Sequence, residues 1–132
     1  MILETLLLIG GGAVIYKLLG GSDIPEEPGV YMFIDRDGDV VYVGRTDNLK
    51  RRYGQHTKGP ISVSSFRKTL YQYHGWTEEE ITQYIKSLRF KYEVIHDDDE
   101  RMRREKELIQ RHYPLYNKHY NILDDYLFDD EL

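Results

Sequence analysis

Apolar residues open this chain as a nearly unbroken run and then reappear in short, punctuated groups. Residues 1–19 are interrupted only by Glu4 near one end and Lys17 near the other, close to the roughly 20 residues a helix needs to cross a bilayer. No basic n-region precedes the run and no small-residue cleavage site follows it, so a cleaved signal peptide is not expected. We read residues 1–19 as an apolar N-terminal helix and a candidate membrane anchor, the alternative being a helix packed on the domain or on a partner. Gly10, Gly11 and Gly12 would break such a helix in water and are better tolerated in lipid. The flanking charges favour, through the positive-inside rule, a cytoplasmic C-terminal domain. Residues 20–28 hold glycine, proline and acids with no apolar period, and read as a linker.

The pattern then changes to that of a folded domain. Val30 to Ile34 and Val40 to Val43 are β-branched and aromatic runs, and the Asp35-Arg36-Asp37-Gly38-Asp39 between them suits a tight turn. An antiparallel hairpin is predicted. Thr46, Asp47 and Asn48 offer caps for a basic helix through Thr57, and after Gly59-Pro60 a second helix is expected over Ser64 to Tyr73. Thr77 and Glu80 form a capping box opening a third helix that reaches Leu88. Phe90 to Ile95 alternates as a third strand, and Asp97 to Asp99 can cap a last helix reaching His112 or Tyr113, stopped by Pro114. The order ββ-α-α-α-β-α predicts an α/β (α+β) fold with a small three-stranded antiparallel sheet flanked by helices.

The length of 132 residues suits one domain with short appendages. The absence of cysteine excludes disulfides, thiolate zinc sites and a cysteine nucleophile, and is compatible with the reducing cytosol. The formal charge of −5 hides a strong polarity. Arg45, Lys50, Arg51, Arg52, Lys58, Arg67 and Lys68 stand against the single acid Asp47, a local net charge of +6. Residues 122–132 form an acidic tail with Asp124, Asp125, Asp129, Asp130 and Glu131. Such a tail could compete with a polyanion for the basic stretch.

There is no phosphate loop, no H-E-x-x-H and no G-x-S-x-G, and the five histidines show no ligand spacing. What remains is Gly29-Val30-Tyr31 and Tyr42-Val43-Gly44 on the hairpin, with Arg52 ten residues after Tyr42, and Glu105 followed twelve residues later by Asn117. On these motifs the chain resembles the GIY-YIG nuclease family, over about Pro28 to Asn121. Residues 29–121 are therefore expected to form the GIY-YIG-like domain.

Helical phase selects between two glutamates independently of that resemblance. At about 100° per residue, Glu105 lies within about 40° of Ile109, whereas Glu107 points some 160° away. A carboxylate in an apolar stripe needs a cation, a hydrogen-bond network or water, so Glu105 is the candidate site residue and Glu107 a surface one.

The resemblance implies a metal-dependent DNA endonuclease, with structure-specific cutting as one form of it. Glu105 would hold a Mg2+, or another divalent cation such as Mn2+, a hard ion that needs only one or two carboxylates. Arg52 would clamp the scissile phosphate. Tyr31 would activate water, with Tyr42 positioning it or the phosphate. Asn117, able both to donate and to accept, would hold the C-terminal end of the site together. His56 stands four residues after Arg52, as in homing and restriction members, and the two could share one phosphate from a common helix face. Gly44, Arg45, Lys50, Arg51, Arg67 and Lys68 are expected to bind substrate, the cations as contacts to the phosphate backbone. The competing expectation is a membrane-tethered nucleic-acid-binding module that kept the fold and cuts nothing.

Overall fold

The computed structural model describes residues 4–9, 12–17 and 23–117. Its elements are β1 (Glu4–Ile9), β2 (Gly12–Lys17), β3 (Gly29–Ile34), β4 (Val40–Thr46), α1 (Leu49–Lys58), a 3-10 turn (Ile61–Val63), α2 (Ser65–His74), α3 (Glu78–Ser87), β5 (Arg89–Val94) and α4 (Asp98–His112). All strand neighbours are antiparallel, in the order β1-β2-β5-β3-β4.

The expected three-stranded sheet is present as β5-β3-β4. Its central strand β3 is buried along its whole length, which is why Gly29 to Ile34 reads as a continuous apolar run instead of alternating. One face carries Tyr31, Phe33, Tyr42, Phe90 and Tyr92 against Leu49, Phe66, Leu70, Ile81 and Ile85 of α1, α2 and α3. The other carries Val30, Met32, Ile34 and Val43 against Leu108 and Ile109 of α4. The hairpin joining β3 and β4 turns at Gly38, whose φ of +89° lies in the left-handed region that glycine enters without cost. Asp35 shapes the same turn, its Oδ1 accepting the N–H groups of Asp37 and Asp39 at 2.9 Å each.

The N-terminal run departs from expectation. Residues 4–9 and 12–17 form an antiparallel strand pair, not an apolar helix, and β2 extends the sheet by pairing with β5. Two physical features favour this outcome. Glycines separate two short apolar stretches of strand length, a pattern suited to a hairpin, and the exposed N–H and C=O groups of β5 gain partners. Among the described residues no helix is long and apolar enough to cross a membrane. The acidic tail at 122–132 lies outside the described residues.

The linker reading also changes between residues 23 and 28. Ile24 is buried in the core, and the carbonyls of Glu27 and Pro25 accept the N–H groups of Leu49 and Lys50 at 2.9 and 3.2 Å. Those donors have no partner within α1, so this stretch belongs to the domain and fixes the start of the helix.

Candidate active site

Tyr31 sits at the centre of the sheet, opposite Gly44 on one side and Tyr92 on the other. Its ring covers Gly44: a Cβ there would lie 2.3 Å from the Tyr31 hydroxyl oxygen and 2.4 Å from Cζ. The glycine of the second motif is thus a steric requirement of the tyrosine of the first. The Tyr31 hydroxyl is 2.6 Å from His56 Nε2. Burial pushes this phenol well above its ordinary pKa, with Tyr42 and Glu105 acting in the same direction. The nearby Arg52 guanidinium opposes them, by its charge and by a hydrogen bond. Tyr31 is therefore a protonated phenol whose ionisation needs further positive charge beside it.

Tyr42, two residues before Gly44 on the same face, lies 2.8 Å through its hydroxyl from Ser65 Oγ, and its ring stacks on Phe66 with centroids 4.4 Å apart. Arg52, half-buried on the first turns of α1, donates to Gln55 Oε1 at 2.9 Å and to the Val63 carbonyl at 3.3 Å. These two acceptors aim the guanidinium while leaving it partly accessible, as a phosphate clamp requires.

His56 does not share that accessibility. It is completely buried, packed by ring contacts against Tyr31, Phe33 and Phe66, with Nδ1 2.6 Å from Ser64 Oγ. Helix α1 turns this residue into the sheet while Arg52, one turn earlier, reaches the rim. In this packing His56 is not open to a phosphate shared with Arg52. Burial, reinforced by Arg52 and Arg67, lowers the His56 pKa to about 3, so the imidazole is neutral and holds the Tyr31 hydroxyl in place.

Arg67 corrects a second expectation. Instead of facing a polyanion it is 1% exposed. Its Nη1 donates to the His56 carbonyl, and its Nη2 to the carbonyl and Oε1 of Glu78, all at 3.0 Å. Ser64 caps α2 by accepting the Arg67 N–H at 3.1 Å, which points this side chain inward to tie α2 to α1 and α3. Lys68, Lys50 and Arg51 are exposed, and Arg51 pairs with Asp47.

Glu105 is buried as its helical phase requires, with Leu108 and Ile109 on the same stripe, while Glu107 is exposed and pairs with Arg104 and Arg111. Arg45 Nε lies 3.2 Å from Glu105 Oε1. Burial raises the Glu105 pKa by more than Arg45 and Lys106 lower it, so the carboxylate is under-compensated for positive charge. A hard oxygen donor in that condition fits a divalent cation. Glu105 packs on the α4 face of the sheet and the phenols on the opposite face. The structure thus separates them by the sheet, with β4, the outermost strand on this side, between them and Gly44 of that strand bearing no side chain.

Asn117 grips the same strand. Its Oδ1 accepts the Val43 N–H and its Nδ2 donates to the Val43 carbonyl, both at 2.7 Å. The Tyr116 N–H also donates to the Val41 carbonyl, at 3.1 Å. The C-terminal segment thereby satisfies the outer edge of β4 and holds the second motif in register. Ser65, Gln55 and the second role of Ser64 escaped the sequence reading. Ser64 opens the second helix in the sequence, but its contact with His56 is a tertiary one.

A small antiparallel sheet carries two tyrosines beside an arginine on one face and a buried carboxylate on the α4 face. A family profile described as the GIY-YIG catalytic domain matches residues 27–121, and the chain belongs to the GIY-YIG family. UvrABC system protein C of Mycoplasma mycoides is 31% identical over 94 residues, covering 71% of this chain and 14% of that protein. The Porphyromonas gingivalis protein of the same name is 35% identical over 95 residues, covering 71% of this chain and 13% of its own. The chain thus spans about one seventh of the length of these relatives. Among solved structures, the GIY-YIG N-terminal endonuclease domain of UvrC from Thermotoga maritima, bound to magnesium, is 24% identical with a TM-score of 0.48, covering 74% of this chain and 90% of that one.

Proposed function

We propose that this protein is a metal-dependent DNA endonuclease that hydrolyses phosphodiester bonds, structure-specific cutting being one form of that activity. The observation that supports this reading is the buried Tyr31 hydroxyl, 2.6 Å from His56 Nε2 and beside the Arg52 guanidinium, with Glu105 buried across β4 against Arg45. Glu105 would hold Mg2+ or Mn2+. When bound, such an ion relieves charge on the phosphoryl and leaving oxygens. Arg52 clamps the scissile phosphate, and Tyr31 passes its hydroxyl proton to the neutral His56 Nε2 as it takes a proton from the attacking water. His56 and Ser64 keep the Tyr31 oxygen in position, and Tyr42, steadied by Ser65 and Phe66, orients the water or phosphate. Beside this centre, a groove along α1 lined by Lys50, Arg51, Lys58 and Lys86 supplies cationic contacts for a nucleic-acid backbone.

The test is cleavage of duplex, nicked, flapped and forked DNA with Mg2+ and with a chelator. Glu105→Ala and Arg52→Ala should each abolish cutting while the circular dichroism of the domain is unchanged. Full activity in either variant would remove that residue from the mechanism. Binding without cleavage in the unmodified protein would favour the non-catalytic module.

A further inference from the structure

Arg45 follows directly on Gly44 at the end of β4 and meets the carboxylate assigned to the cation. The contact runs from Nε to Oε1 at 3.2 Å, and the Arg45 side chain is 37% exposed. A single-point ion pair on a partly exposed arginine is weakly held and readily exchanged, unlike a bidentate pair. Its position is the informative feature. A guanidinium beside Glu105 supplies the charge that a divalent cation would supply, and it repels that cation. It also stands one residue from the glycine over which Tyr31 lies, where a substrate phosphate would be attacked.

We propose that Arg45 is an exchangeable counter-ion that couples metal binding to substrate binding. Without DNA it offsets part of the Glu105 charge and weakens the hold on the cation. When a substrate phosphate arrives, Arg45 transfers from the carboxylate to the phosphate, and Glu105 is released to the metal. Each ligand then strengthens the other by the same factor, as linkage requires. The cation is thereby retained chiefly when there is something to cut. This rests on the reading of Glu105 as the cation's ligand.

The experiment is the affinity of the full chain for Mn2+, read by electron paramagnetic resonance, alone and with excess forked DNA. In the unmodified protein, DNA should tighten Mn2+ binding by roughly tenfold, the ordinary scale of coupling between two sites. Arg45→Gln should bind Mn2+ more tightly than the unmodified protein without DNA, and added DNA should bring little further gain. Arg45→Met, which keeps the aliphatic stem, should behave alike and serves if the glutamine variant does not fold. Unaltered Mn2+ affinity in these variants, or undiminished coupling to DNA, overturns the proposal. Glu105→Gln separates the two levels of inference. If it loses Mn2+ while Arg45→Gln binds as before, only the exchange falls; if it binds Mn2+ normally, the assignment of Glu105 falls with it.

Discussion

Gly44 illustrates how closely single residues of this site are fitted. The methyl group of an alanine there would stand 2.3 Å from the Tyr31 hydroxyl, and backbone on a paired strand cannot retreat far. Gly44→Ala should therefore cost roughly 1–3 kcal/mol of stability and displace the phenol from His56. Denaturant unfolding together with a cleavage assay checks both, and cutting should fall more steeply than stability alone explains. His56 carries a different signature. Its pKa in the fold is about 3, below the ordinary value near 6.5. As pH falls from about 6.5 towards about 3, the unfolded chain takes up a proton that the folded one does not, and stability declines by up to about 1.4 kcal/mol per pH unit. The loss is absent above the ordinary value and levels off below the folded one. Urea midpoints across this range should fall more steeply in the unmodified protein than in His56→Gln, whose side chain does not titrate.

Local signals along the chain account for most of the elements. Asn48, Thr77 and Asp97 each accept a backbone N–H at the helix start expected of them, Ser64 does so one position before a helix expected to include it, and Thr77 with Glu80 forms the complete capping box. Caps are readable because one side chain and its own next turn suffice. The N-terminal strands carry no such local signal. An apolar run with little period fits helix or strand alike, and the edge of β5 that decides between them lies some seventy residues further along the chain. Asn117 depends on a similarly remote partner. Its two 2.7 Å bonds to Val43 replace a strand on the edge of β4, so Asn117→Ala should leave a buried N–H and C=O unpaired and lower stability by about 2–3 kcal/mol. Hydrogen exchange should show the Val43 amide opening faster in that variant, even where α3 remains protected.

At the scale of the molecule, the basic segment from Arg45 to Lys68 divides into charges of different kinds. Lys50 and Lys68 are exposed, whereas Arg67 is enclosed and Arg45 is paired with Glu105. Substituting Lys50 or Lys68 by alanine should weaken DNA binding at every sequence and reduce the salt dependence of the affinity by about one charge each. Arg67→Ala should act on stability, by on the order of 3 kcal/mol. Binding isotherms across a salt series, set beside unfolding curves, distinguish the two effects.

Periodicity, caps and turn residues determined the helices, the central hairpin and the inward phase of Glu105, because each depends on neighbours within a turn or two. Motif spacing brought Tyr31, Tyr42, Arg52, Glu105 and Asn117 into view together. Packing alone decided that His56 and Arg67 turn inward, that the first strands extend the sheet, and that Arg45 reaches Glu105. Those outcomes depend on which surfaces meet across the sheet, and a linear pattern carries no record of that encounter.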